Sequence, residues 1–89
     1  MALADMQGFD VTEGGAAAAS PDALFQLGLQ YSLGRGVRTC PVTAHKWFNI
    51  AALRGNQDAK LYRSELAAEM SKTEIAEAQR QAREWLRGN

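Results

Sequence analysis

The sequence predicts an all-α fold of four short helices arranged as two antiparallel hairpins. Apolar residues recur at helical spacing in four successive segments, and capping residues or glycines stand between these segments. No segment alternates apolar and polar residues as a strand would. The connections are short, which makes consecutive helices antiparallel neighbours. With 89 residues, the chain is long enough for one domain only.

The first helix is expected over residues 21–33. Ser20 suits the N-cap and Pro21 the first helical position. Gly34 or Gly36 can end the helix, because glycine readily adopts the left-handed conformation of a C-terminal cap. The helix carries two apolar rows, more than one neighbouring helix would cover. One row contains Leu24, Leu27, Gly28 and Tyr31, and the second contains Phe25, Leu29 and Leu33.

The second helix is expected from Pro41 to about Arg54, where Gly55 stops it. Its apolar face consists of Ala44, Trp47, Phe48 and Ala51. Cys40 occupies the N-cap position as a weak substitute for a better capping residue. His45 is expected to be a structural residue at the surface or half-buried.

Two further helices complete the expected fold. The third spans residues 57–70 with Asn56 as its cap, and its buried stripe consists of Ala59, Tyr62, Leu66 and Met70. Ser71 and Glu74 form a capping box that begins the fourth helix, which runs to about residue 86. The residues on its apolar face are Ile75, Ala78, Ala82, Trp85 and Leu86.

Residues 1–19 are expected to form a flexible tail, because glycines interrupt them and their large apolar residues are not periodic. This segment has a net charge of −3, and the remaining residues, with ten bases and seven acids, have +3. So mild a positive charge argues against a nucleic-acid partner. No apolar run is long enough for a membrane span, and we expect no signal peptide, because the N-terminal residues have neither a basic start nor an apolar run.

Chemistry-bearing residues are few. Cys40 is the only cysteine and His45 the only histidine, so they form neither an internal disulfide nor a zinc site. No group that would orient a catalytic thiol is evident beside them. We therefore expect a cytoplasmic protein that is not an enzyme and has no metal, no cofactor and no membrane partner.

A known repeat pattern runs through the first two helices. Its elements are Leu27-Gly28, Tyr31, Gly34-x-Gly36-Val37, Ala44 to Trp47, Ala51-Ala52 and Gly55. In these residues the chain resembles the Sel1-like repeat family of TPR-like helical proteins, over about residues 22–59. The family usually has Asp at the position of Cys40. The resemblance implies a solenoid fragment over residues 20–89, with a clear repeat at 20–55 and a degenerate, capping helix pair at 56–87.

The resemblance also implies a scaffold for protein contacts. We therefore expect an interaction module or adaptor that docks a partner of unknown identity on an apolar helical face. The residues expected to line that face are Phe25, Leu29, Ser32, Lys60, Arg63 and Ala67. Whether the second apolar row forms this interface or is covered by the third and fourth helices stays open at this point.

Two other possibilities also remain open. One is a small regulator (an activator, adaptor or substrate) of a larger enzyme such as an ATP-dependent Lon-type protease, engaged through the C-terminal end. The residues recognised there would be Trp85, Leu86, Arg87, Gly88 and Asn89. The other is a homodimer, because a stack of two repeats leaves apolar ends uncovered. The Ala-, Arg- and Gly-rich composition is compatible with a bacterial source.

Overall fold

Four α-helices follow one another in the computed structural model, which describes residues 18–88. Their bounds are α1 Pro21–Leu33, α2 Pro41–Leu53, α3 Gln57–Ala67 and α4 Lys72–Gly88. No strand occurs in this range, so the predicted all-α class is confirmed. The predicted tail lies outside the described residues apart from Ala18 and Ala19, and Ala19 packs against the core.

Side chains cap the N-termini of α1 and α3 as the sequence predicts, and a glycine ends α1. Ser20 Oγ accepts a hydrogen bond from the Ala23 N–H at 3.1 Å, and Asn56 Oδ1 accepts one from the Ala59 N–H at 2.8 Å. Gly34 ends α1 in the left-handed conformation, with a φ of 74°. Each cap satisfies a backbone group that the helix leaves without an internal partner.

The turn between α3 and α4 shows why one predicted boundary is wrong. Ser71 N–H donates to Glu74 Oε1 at 2.9 Å, and Glu74 N–H donates back to Ser71 Oγ at 3.0 Å. This confirmed capping box fixes Ser71 outside the helix, so the chain must turn before it. α3 therefore ends at Ala67 and not at Met70. The other predicted boundaries agree with the structure to within two residues.

The second helix is the centre of the fold. α2 makes extensive contacts with α1, α3 and α4. The hairpin of α1 and α2 is the more closely packed, and α3 and α4 each make more contact with α2 than with each other. The core of the described residues therefore lies around α2. It consists of Leu24, Phe25, Leu27, Ala44, Trp47, Phe48, Ile50, Ala51, Ala59, Ala82 and Trp85.

Neighbouring residues of α2 bring together two different groups of aromatic side chains. Trp47 packs edge-to-face against Trp85 of α4, with ring centroids 5.4 Å apart, and each is only 3% exposed. The Lys46 ammonium lies 4.4 Å from the Trp47 ring centroid, and the Arg54 guanidinium lies 5.0 Å from that of Trp85. We call Trp47 and Trp85 the closed aromatic pair. Its packing joins α2 to α4.

Candidate functional site

The second aromatic group lies where α1, α2 and α3 meet. Phe25 is 5.8 Å from Phe48 and 5.1 Å from Tyr62 between ring centroids, and Phe48 is 5.9 Å from Tyr62. Phe25 and Phe48 are buried, but Tyr62 is 40% exposed. We call these three residues the open aromatic cluster. The exposure of Tyr62 corrects the expectation that it belongs to a fully buried stripe.

A groove of about 220 Å³ borders the open aromatic cluster. α1 contributes one wall, α3 the other, and Phe48 of α2 lies between them. The lining residues are Ser32, Phe48, Tyr62, Glu65, Leu66 and Glu69. The groove thus combines apolar and aromatic surface with two carboxylates, both on the side of α3.

Contacts near the beginnings of α1 and α3 hold the two walls in place. Asn56, the cap of α3, donates from Nδ2 to Asp22 Oδ1 at 2.8 Å. The edge-to-face contact of Phe25 with Tyr62 joins the same helices. Phe48 approaches α1 closely because Gly28 has no side chain there, and a Cβ atom at that position would clash with the Phe48 ring. The groove therefore has a fixed floor.

The structure brings only part of the predicted partner-binding set to this groove. Ser32 lines it. Phe25 is buried, and Leu29 is half-buried against the core, so they supply little exposed apolar surface. The second apolar row is therefore largely covered near its beginning. Arg63 turns toward α2, where its Nη1 donates to Asn49 Oδ1 at 2.6 Å.

The remaining two predicted residues lie on α3 outside the groove. Lys60 is exposed and Ala67 is half-buried. Besides Phe48 of α2, the groove is lined on the side of α3 by four residues that the sequence does not mark as binding residues. They are Tyr62, Glu65, Leu66 and Glu69. Their spacing of i, i+3, i+4 and i+7 marks one helical face and was the available signal.

The alternative C-terminal recognition set divides between the core and the surface. Trp85 belongs to the closed aromatic pair, and Leu86 is half-buried against the core. Arg87 and Gly88 are exposed. Asn89 lies outside the described residues. In the folded chain, this end therefore offers little apolar surface for recognition.

His45 is buried, only 3% exposed, which corrects its expected place at the surface or half-buried. Its Nδ1 has no hydrogen-bond partner in the described part of the chain. Burial lowers the pKa of His45 below its ordinary value, and the nearby positive charge of Arg63 lowers it further. His45 is therefore held neutral at the contact between α2 and α3.

Cys40 precedes α2 without capping it through its side chain. Its Sγ lies 3.2 Å from Thr43 Oγ1. Between residues 18 and 88, no three His, Cys, Asp or Glu residues lie close enough together to hold a metal ion. Nor does any helix in that range combine the length and the apolar character of a membrane span.

No protein-family model, no curated protein and no solved structure matches the chain.

Proposed function

We propose that this protein is an interaction module or adaptor that holds another protein in the groove between α1 and α3, without catalysis of its own. The observation that supports this proposal is the groove itself. It combines one partly exposed tyrosine and the half-buried Leu66 with two acidic side chains, above the buried ring of Phe48. Partly exposed aromatic residues beside a fixed pocket are typical anchors of protein interfaces.

The size of the groove favours a side chain of a partner over a small ligand. Its volume of about 220 Å³ falls below the range of about 300–1,000 Å³ that is typical of small-molecule sites. The resemblance to Sel1-like repeats supports the same role, because helical repeats bind proteins through surfaces between their helices. The unpaired Cys40 fits a reducing compartment such as the cytoplasm.

Regulation of a larger enzyme through the C-terminal end is the weaker proposal. The apolar residues of that end, Trp85 and Leu86, pack against the core, so among its described residues only Arg87 and Gly88 are exposed. The groove offers a more exposed aromatic residue and a preformed cavity. An enzyme could still be the partner that docks in the groove.

Two substitutions test the groove from different sides. Ser32→Trp should fill it, and Tyr62→Ser should remove its exposed anchor. Leu61→Ser is the matched control, because Leu61 is 58% exposed on the same helix and lies outside the groove. Affinity capture from an extract of the native cell, quantified by mass spectrometry, should show one specific partner with the wild type and with Leu61→Ser.

Capture of that partner should fall sharply with both groove variants. Loss of an interface tyrosine costs about 2 kcal/mol or more, roughly thirty-fold in affinity. Circular dichroism should show that all three variants keep their helical content. Undiminished capture by both Ser32→Trp and Tyr62→Ser would place the interface elsewhere and contradict the proposal.

A further inference from the structure

The charges of the groove are not balanced within the described residues. Glu65 and Glu69 lie on its α3 side, and neither carboxylate forms an ion pair or a hydrogen bond with residues 18–88. The acids of α4 differ, since Arg80 bridges Glu77 and Glu84. The groove therefore presents two uncompensated negative charges beside an apolar floor.

The position of these acids works against the stability of α3. The C-terminal end of a helix carries a partial negative charge, which favours Lys or Arg there and disfavours Glu. α3 has no basic residue in its last turn. Glu65 lies within that turn, and Glu69 follows in the turn after the helix. Residues that break a local rule of stability are often retained for binding.

We infer that the occupant of the groove is a segment of another protein that combines one large apolar side chain with two basic side chains. The apolar side chain would lie against the exposed part of Tyr62 and the half-buried Leu66, and Lys or Arg residues one helical turn apart would face Glu65 and Glu69. An amphipathic helix presents these three side chains on one face. This inference rests on the proposed function and names the chemistry of the partner.

A second copy of the chain fits this description less well. Arg83 and Arg87 are exposed on α4 and lie one turn apart, so they meet the charge requirement. The apolar side chain between them, Leu86, is half-buried against the core of its own chain. It could enter the groove of another copy only by leaving that core. The observations therefore favour a different protein as the occupant.

Synthetic helical peptides test the inference directly. The probe has a leucine flanked by two lysines one turn apart, and matched peptides carry glutamine or glutamate in place of both lysines, or serine in place of leucine. Fluorescence anisotropy with the full chain should show the lysine peptide binding about five-fold tighter than the glutamine peptide, as expected for two exposed ion pairs. The glutamate and serine peptides should bind more weakly still.

Variants of the chain locate the effect. Glu65→Gln with Glu69→Gln should remove the advantage of the lysine peptide. Asp58→Asn with Glu84→Gln removes as many charges outside the groove and should retain it. Raising the ionic strength from about 0.05 M to about 0.5 M should shrink the advantage for the wild type, because salt screens exposed charges.

Three results would overturn the inference. The first is equal binding of the lysine peptide to wild type and to the Glu65→Gln, Glu69→Gln variant, and the second is no binding by any peptide. The third is a dimer, measured by light scattering, that Ser32→Trp dissociates, because a second copy would then be the occupant. If the glutamine peptide binds as tightly as the lysine peptide and Ser32→Trp abolishes both, the charge inference fails while the proposed function stands.

Discussion

The closed aromatic pair and the open aromatic cluster contain adjacent residues of α2 but differ in how far their rings are exposed. Trp47 and Phe48 project about 100° apart, because a helix turns once in 3.6 residues. Trp47 meets Trp85, and both rings are enclosed. Phe48 meets Tyr62, which keeps 40% of its surface exposed beside the groove. Aromatic content alone therefore does not distinguish a stabilising contact from a binding surface, whereas the exposure of the last ring does.

The largest effect should come from opening the closed pair. Trp47→Ala should lower the free energy of unfolding by about 3–5 kcal/mol, since it leaves a cavity where two tryptophans pack. Urea unfolding followed by circular dichroism measures this loss. Leu53→Ala, on the same helix at an exposed position, should change stability by no more than about 0.5 kcal/mol. Similar losses in the two variants would mean that the pair is not the stability centre.

A smaller loss of stability should follow from overpacking the open aromatic cluster beside the Phe48 ring. Gly28→Ala places a Cβ atom against the Phe48 ring, and such overpacking costs about 1–3 kcal/mol. Alanine also favours helix over glycine by about 1 kcal/mol, which offsets part of this cost. Gly88→Ala is the matched control in α4, because nothing lies within 4 Å of its added Cβ. Thermal unfolding should show a lower midpoint for Gly28→Ala alone, and an unchanged or higher midpoint would show that the cluster can expand.

The two aromatic groups also differ in how well the sequence predicts them. Local signals were sufficient for α1, for its Ser20 cap and for the Ser71–Glu74 capping box, because each depends on neighbours along the chain. The small residue at position 28 likewise indicated a close helix contact, which Phe48 makes. The closed pair joins faces that the helical periodicity marks as apolar. These features therefore follow from spacing and capping chemistry.

The groove could not be predicted in the same way. The helical spacing predicts Tyr62 in a buried stripe and Arg63 on the binding face, yet Tyr62 is exposed and Arg63 turns inward to Asn49. Both differences depend on how α3 is rotated about its axis where it packs on α2. The sequence of α3 alone does not indicate that rotation. His45 is buried, and the charge of Arg63 on α3 acts on it, which the sequence likewise does not indicate. Only the packing of one helix on another reveals which side of α3 remains open.

The smallest predicted effect is a loss of stability at low pH. It depends on His45 and should affect the open aromatic cluster before the closed aromatic pair. His45 lies one helical turn before Phe48, and the charge of Arg63 on α3 acts on it. Its pKa is below 6.5 in the folded chain, so the unfolded chain binds more protons as the pH falls through 6.5. Stability is therefore full above that pH and decreases below it, by at most about 1.4 kcal/mol at one pH unit lower.

Urea unfolding between about pH 5.5 and 7.5 should reveal this decrease, because histidine is the only side chain that ordinarily titrates there and His45 is the only histidine. His45→Gln should unfold with the same free energy at both ends of this range. An equal decrease in the variant would assign the pH dependence to another group.

Since a proton on His45 would face Arg63, we expect the contact of α2 with α3, and with it the open aromatic cluster, to loosen first. Tyr62 should then gain exposure while Trp47 and Trp85, followed by their fluorescence, stay enclosed.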